Sequence, residues 1–262
     1  MKTSYRLSMI AAILTALAAT AGLFIPGLYQ DSEYLITVWQ GNDWVTLIVV
    51  VPALLITLYL SEQGSIKAWL IWMGLLLYLF YNYAFYLFAT AFNAVFLAYV
   101  SLFAVSACAL IYGLSAFPVQ RISFGSKHLF WIAGYLLLIA FILVMVEVPP
   151  IIRFLLTGEL PELIERTDHP TSVVYALDLS IVVPLSVLAA VWLWREKKRG
   201  YILAALMLVK GAIYGMVLTI NTIILTVTGK GGDPLLPFYA FVVLGGVGGL
   251  FLLLKNVEYC PE

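Results

Sequence analysis

Charge is scarce in this sequence: Asp, Glu, Lys and Arg make up 11% of it, against 63% hydrophobic residues. Soluble domains carry roughly 25% charged residues, so an ordinary water-soluble fold is excluded. Histidine is nearly absent. With two in the whole chain, a His-rich metal site has no ligands to draw on, and neither a zinc-type spacing nor an HExxH occurs. The two cysteines, Cys108 inside an apolar run and Cys260 near the end, form no disulfide framework. No cofactor motif is present, and no nucleic-acid partner is expected. No linker of low complexity divides the chain and no repeat is evident. It therefore reads as one transmembrane domain, 1–262.

What the sequence has instead is long apolar runs. A helix needs about 20 apolar residues to cross the hydrocarbon core. Eight segments qualify, at about 8–28, 44–61, 68–90, 94–117, 129–148, 173–194, 201–227 and 236–254. Residues 68–120 carry no Asp, Glu, Lys or Arg. As one helix they would run roughly 80 Å at 1.5 Å per residue, so they must fold as a hairpin, turning at Thr90–Asn93. The fold class is all-α: a polytopic bundle of eight spans.

The Lys and Arg residues orient it. With the N-terminus inside, the cytoplasmic segments hold Lys2, Arg6, Lys67, Arg121, Lys127, Arg195, Lys197, Lys198, Arg199 and Lys255. The external ones hold Arg153, Arg166 and Lys230. This bias is the positive-inside pattern, and it predicts both termini in the cytoplasm of a cell-membrane protein. Trp69, Trp72, Trp131, Trp192 and Trp194 would form an inner aromatic belt, Trp39 and Trp44 an outer one. The first span also resembles a signal peptide, with Lys2 and Arg6 before an apolar stretch, but its hydrophobicity continues through Phe24-Ile25 to Leu28.

The longest stretch between spans is 149–172. Pro149-Pro150 should end the fifth span, and Ile151–Leu156 would lie along the interface. Glu159, Glu162, Glu165 and Asp168 then read as a solvated loop, or as a lid or cation-collecting mouth.

Ionisable groups inside spans cost about 2.5–3.5 kcal/mol each on insertion scales. Lys210 near the middle of the seventh span and Asp178 in the sixth are the two that stand out, and each is the other's candidate partner. Glu147, at the outer end of the fifth span, is a weaker alternative for the lysine. Counting along the helices separates Asp178 and Lys210 by roughly 10 Å in depth, a gap for a long lysine stem or a bridging water to close, with Tyr214, one turn above the lysine, as a candidate relay. Residues at helical spacing extend the polar faces. Lys210, Tyr214 and Asn221 share one, and Tyr78, Asn82, Tyr86 and Asn93 another. Ser101, Cys108, Tyr112 and Ser115 form a thinner third. Together they predict a polar core among the third, fourth, sixth and seventh spans. The alternative is that Asn82 and Asn93 act as hydrogen-bonding glue between helices.

Two patterns are structural. Gly245 and Gly249, like Gly211 and Gly215, have GxxxG spacing, which serves close helix packing or a homo-oligomer face. Pro52 and Pro184 lie mid-span and should kink their helices.

Phe24–Tyr29, Tyr81–Tyr86, Ala91–Asn93, Ala176–Leu179, Gly200-Tyr201 and Leu208–Lys210 resemble a widespread family of uncharacterised prokaryotic multi-pass membrane proteins. The resemblance implies a multi-pass fold and no activity.

The function these residues support is binding of a small solute or proton in a polar core within the lipid bilayer, with transport as the activity. Lys210 and Asp178 would be the charge switch, and Asn82, Tyr86, Tyr214 and Asn221 the lining. No inverted repeat of the kind many transporters have is visible. Two other classes compete. One is a sensor or assembly partner. The other is a lipid-modifying enzyme, for which neither a GxSxG nor an assembled site is found. A mid-span lysine with a carboxylate would also suit a retinal-type Schiff base.

Overall fold

The computed structural model describes residues 2–125, 128–167 and 169–259, so Lys127, Asp168 and Cys260 lie outside the described residues. Its long helices are α1 (Lys2–Phe24), α2 (Glu33–Glu62), α3 (Ile66–Ala89), α4 (Phe96–Ser115) and α5 (Leu129–Thr157). After the short α6 (Glu162–Thr167) come α7 (Val173–Trp194), α8 (Lys198–Val227) and α9 (Leu236–Lys255). All eight long helices have the length and composition to cross a membrane. Helices satisfy their backbone hydrogen bonds internally, which is what a hydrocarbon environment requires. The chain is an all-α, multi-pass membrane bundle.

Local chemistry sets the helix starts. Ser32, Ser65 and Ser172 each accept the backbone N–H three residues on, from Leu35, Ala68 and Tyr175, the standard serine N-cap. Prolines shape the interiors of α2 and α7. Pro52 and Pro184 have no N–H to donate, and just before each the ladder loosens into a π-helical segment, Thr46–Val50 and Asp178–Val182.

These matching segments belong to an internal repeat. The π segments begin 132 positions apart, as do Val51–Glu62 and Val183–Trp194, and as do α3 and α8 (46 to 178, 51 to 183, 66 to 198). Between the helices, Gly64 and Glu196 take the same left-handed turn, at φ 90° and 51°. Further on the shift grows to 140. Asn93 and Asp233 each accept the N–H two residues on, at 3.1 and 2.9 Å from Val95 and Leu235, and the buried Tyr99 and Tyr239 follow (93 to 233, 99 to 239). Each half thus has four long helices and ends in a strand. Strands β1 (Ile122–Phe124) and β2 (Val257–Tyr259) pair antiparallel, with Ser123 opposite Glu258, as a two-fold axis between them demands. Four is an even number, so the halves cross in the same direction and the axis runs along the membrane normal, the parallel type of repeat.

The equivalent helices α3 and α8 meet at this axis and are the most buried of the eight. Gly74 permits the approach, since a Cβ there would lie 2.5 Å from the Val209 Cβ. The helix α1 is knit into the first half: Ser4 Oγ donates to the Ala109 carbonyl at 2.8 Å, and Trp72 Nε1 donates to Ser8 Oγ at 2.9 Å.

Several expectations need correction. The second span begins at Glu33 rather than 44, which buries Asn42 and Asp43 instead of leaving them in a loop. The fifth helix does not stop at Pro149-Pro150 but runs through them to Thr157, with Ile151–Leu156 inside it. Ser101, Cys108, Tyr112 and Ser115 face outward. The two serines need no inward partner, because their hydroxyls bond back to the Leu97 and Ile111 carbonyls of their own helix. The inner face of α4 is Tyr99, Leu102, Ser106, Ala109 and Gly113. Of the expected belts, Trp44, Trp131 and Trp194 lie on the perimeter, while Trp39, Trp69 and Trp72 are packed inside. A repeat is present, though parallel rather than inverted.

Candidate functional site

Asp178 is the first residue of the π segment in α7 and Lys210 lies in α8. Lys210 is twelve residues from the start of α8 and Asp178 sixteen from the end of α7 (198 to 210, 178 to 194), or about 18 and 24 Å along the helices. The lysine stem spans that difference, and Nζ stands 3.9 Å from Asp178 Oδ1, both side chains being buried. The depth gap is therefore smaller than residue counting predicted, because α8 begins at Lys198, three residues before the expected start at 201, while α7 keeps its expected bounds.

The ammonium reaches the carboxylate directly, and Tyr214 stands beside the pair, hydrogen-bonded to Tyr81. Tyr81, from α3, donates its hydroxyl to Asp178 Oδ1 at 2.6 Å. The Lys210 ammonium lies 3.6 Å from the Tyr81 ring centroid and 4.6 Å from that of Tyr214, and the two rings meet edge-on. Lysine is thus held by one carboxylate and two aromatic faces, a cation–π cage in a dry setting. Glu147 of α5, also buried, is hydrogen-bonded to Asp178 and within electrostatic reach of Lys210, while its Oε2 has no further partner among the described residues.

These groups wall a cavity of about 310 Å³, at the lower end of small-molecule sites, roughly 300–1,000 Å³. Asp178, Lys210, Tyr214 and Asn221 line it together with Glu147 and Trp39. The side-chain oxygen of Asn221 and the Trp39 indole nitrogen are buried and unpartnered among the described residues. Towards one end, α6 and the segment after it contribute Leu163, Thr167 and His169 to the wall. The acidic Glu159, Glu162 and Glu165 are exposed there. Lys230 pairs with Glu33 at 2.8 Å, and Arg166 stacks 4.1 Å over the Tyr34 ring, itself a lining residue.

Asn82 and Tyr86 do not join this cavity. They belong to a second buried polar cluster, in the first half. Tyr86 and Tyr29 donate to the two oxygens of Asp43 at 2.8 and 2.6 Å. Asn42 bridges from Tyr78, whose hydroxyl it accepts at 3.3 Å, to Asn82 Oδ1, to which it donates at 2.8 Å. Sequence reading missed Asn42 and Asp43 because apolar-run counting started their helix eleven residues late. Tyr81 was missed because it lies off the Tyr78–Asn82–Tyr86 face. The polar interior thus draws on α2, α3, α5, α7, α8 and α9, and on α4 through the buried Tyr99, which neighbours Tyr29 and Tyr86 in the Asp43 cluster.

The glycine pairs on α8 and α9 are used within the chain. A Cβ at Gly245 would lie 2.2 Å from the Tyr135 ring, and Gly249 and Gly215 admit Leu208 and Val242. Comparison with protein-family models, curated proteins and solved structures yields no match.

Proposed function

We propose that this membrane protein binds a small solute or a proton in the cavity beside Asp178 and Lys210, and that it acts as a transporter. One observation carries the reading. In the first half, the positions equivalent to Asp178 and Lys210 hold Thr46 and Tyr78 (46 to 178, 78 to 210), which close the same helix contact with a neutral hydrogen bond of 3.2 Å. The fold therefore has no need of charge at that contact, while burying charge is expensive. A charged pair placed where a neutral one suffices is supported by use, not by stability. Location agrees. Parallel-repeat transporters bind at the interface between repeats, and here Tyr81 comes from the first half while Asp178 and Lys210 come from the second.

The halves also differ where the cavity lies. By the shift of 132, α7 starts at the equivalent of Gly41, eight residues later than α2 (33 to 41). Leu163, Thr167, His169 and Ser172, which precede α7, and Val173, Val174 and Tyr175, which open it, help form the cavity wall.

Thermal unfolding of purified protein across a panel of cationic, anionic, zwitterionic and neutral solutes, and across pH, tests the proposal. The Lys210→Met, Asp178→Asn double variant should fold, weaken every solute-dependent shift that the wild type shows, and lose the part of the pH dependence that the pair carries. A wild type that responds to neither solute nor pH, or a double variant that responds equally, would overturn it.

A further inference from the structure

We infer that the cavity's occupant is a small organic monocation carrying a primary ammonium group, recognised by Glu147. The inference rests on the solute-binding reading above and names the class of solute.

Three features of the cavity lead there. The first is its charge balance. Lys210 is the only Lys or Arg among the described lining residues, whereas Glu147, Asp178 and Asp233 are all present. Asp178 answers Lys210 at 3.9 Å, and Asp233 is engaged at the rim by the Tyr239 hydroxyl at 2.6 Å. Glu147 has only a hydrogen bond to Asp178 and a share of the Lys210 ammonium; it is 3% exposed, with Oε2 unpartnered among the described residues. Two buried carboxyls facing one ammonium need a proton between them or a second cation, and one added positive charge takes that proton's place. An anionic solute would have to displace Asp178 from Lys210 while lying against the other carboxylates.

The second feature is the unmet hydrogen bond. With that proton displaced, the Glu147 oxygens only accept, so the occupant must donate. An ammonium N–H does so in the stronger, charge-assisted form, which a quaternary ammonium cannot provide. The third is the wall. Tyr34, Trp39, Phe85, Tyr175 and Phe238 line the same space, and aromatic faces favour cations once water is excluded. The cavity already shows this chemistry in the Lys210 ammonium, held over Tyr81 and Tyr214.

Three ligands of similar shape and different charge make the test: phenethylammonium, 2-phenylethanol and 3-phenylpropanoate, titrated against the full-length protein with thermal unfolding as readout. Phenethylammonium should stabilise at concentrations about tenfold lower than the alcohol, the ratio a single charge-assisted hydrogen bond provides. Glu147→Gln should bring the two to parity. Glu33→Gln, which changes only the mouth, should leave the ratio intact and so control for nonspecific adsorption of the amine. Equal or tighter binding of the alcohol or the carboxylate would overturn the ammonium assignment and leave solute binding standing. An ammonium preference that survives Glu147→Gln would overturn the role of Glu147. No shift with any of the three, alongside a shift with pH alone, would overturn the inference in favour of a proton as occupant. No shift with either would remove the solute-binding reading together with it.

Discussion

Lys210 stands in the second half of the bundle where Tyr78 stands in the first (78 to 210), and Asp178 stands where Thr46 does (46 to 178). The same contact between a π-kinked helix and the central helix after it is made once by neutral groups and once by an ion pair. The neutral version leaves no charge to neutralise in hydrocarbon. The charged version needs the Tyr81 hydroxyl and two ring faces to hold it.

If the pair is one unit, its members will not behave independently. Lys210→Met or Asp178→Asn alone leaves a buried charge without its partner and should destabilise the protein by about 3 kcal/mol, as for other broken buried pairs. The double variant should recover more than half of that. A double-mutant cycle from unfolding in detergent gives the coupling directly, and additive effects would show two separate residues.

The Asp43 cluster should be structural. Asp43→Ala leaves the Tyr29 and Tyr86 hydroxyls without their acceptor in a buried setting, a loss of about 1–3 kcal/mol for each orphaned group. Ser101→Ala, on the outward face of α4, should change stability by less than about 0.5 kcal/mol. Melting temperatures of the two variants check the contrast. Similar values would mean that the Asp43 hydrogen bonds contribute little.

Glycines at the α3–α8 axis should be intolerant, and those on open faces should not. A Cβ at Gly74 would lie 2.5 Å from Val209, whereas nothing lies within 4 Å of one at Gly248. Gly74→Ala should cost about 1–3 kcal/mol by overpacking. Gly248→Ala should be neutral or slightly stabilising, since alanine is the better helix former. Chemical unfolding in mixed micelles compares them.

Side-specific thiol labelling tests the orientation expected from the Lys and Arg residues. Single cysteines at 33, 162 and 230 should react with an impermeant reagent applied outside intact cells, and those at 67, 125 and 198 only after lysis. The Lys230–Glu33 pair already places two of the first three at one end of the bundle. A cysteine at 42 should react in neither case, because Asn42 is buried. External reaction at 198 would reverse the orientation.

By itself the sequence determined the class of fold and the number of crossings. Apolar runs of about 20 residues leave no other solution, because a backbone in hydrocarbon must bond to itself. It also showed two of the charges that lie inside: Lys210 and Asp178 are legible as isolated ionisable residues within apolar runs, whereas the buried Asp43 read as part of a loop. Tertiary structure decided everything that depends on distance between helices. A helix face is a direction, and the sequence carries no information on which neighbour it meets. Hence Tyr81, one position off the expected stripe, proved to be the partner of Asp178, while Asn82 and Tyr86 went to a different carboxylate. The serines of α4 satisfied themselves on their own backbone and turned outward. The repeat was hidden for the same reason. Its halves share helix bounds, π segments, a left-handed turn and scattered residues such as Pro52 with Pro184 and Tyr99 with Tyr239, but most equivalent positions differ, as Thr46 and Tyr78 differ from Asp178 and Lys210. Packing geometry is what the two halves have in common, and chemistry is where they diverge.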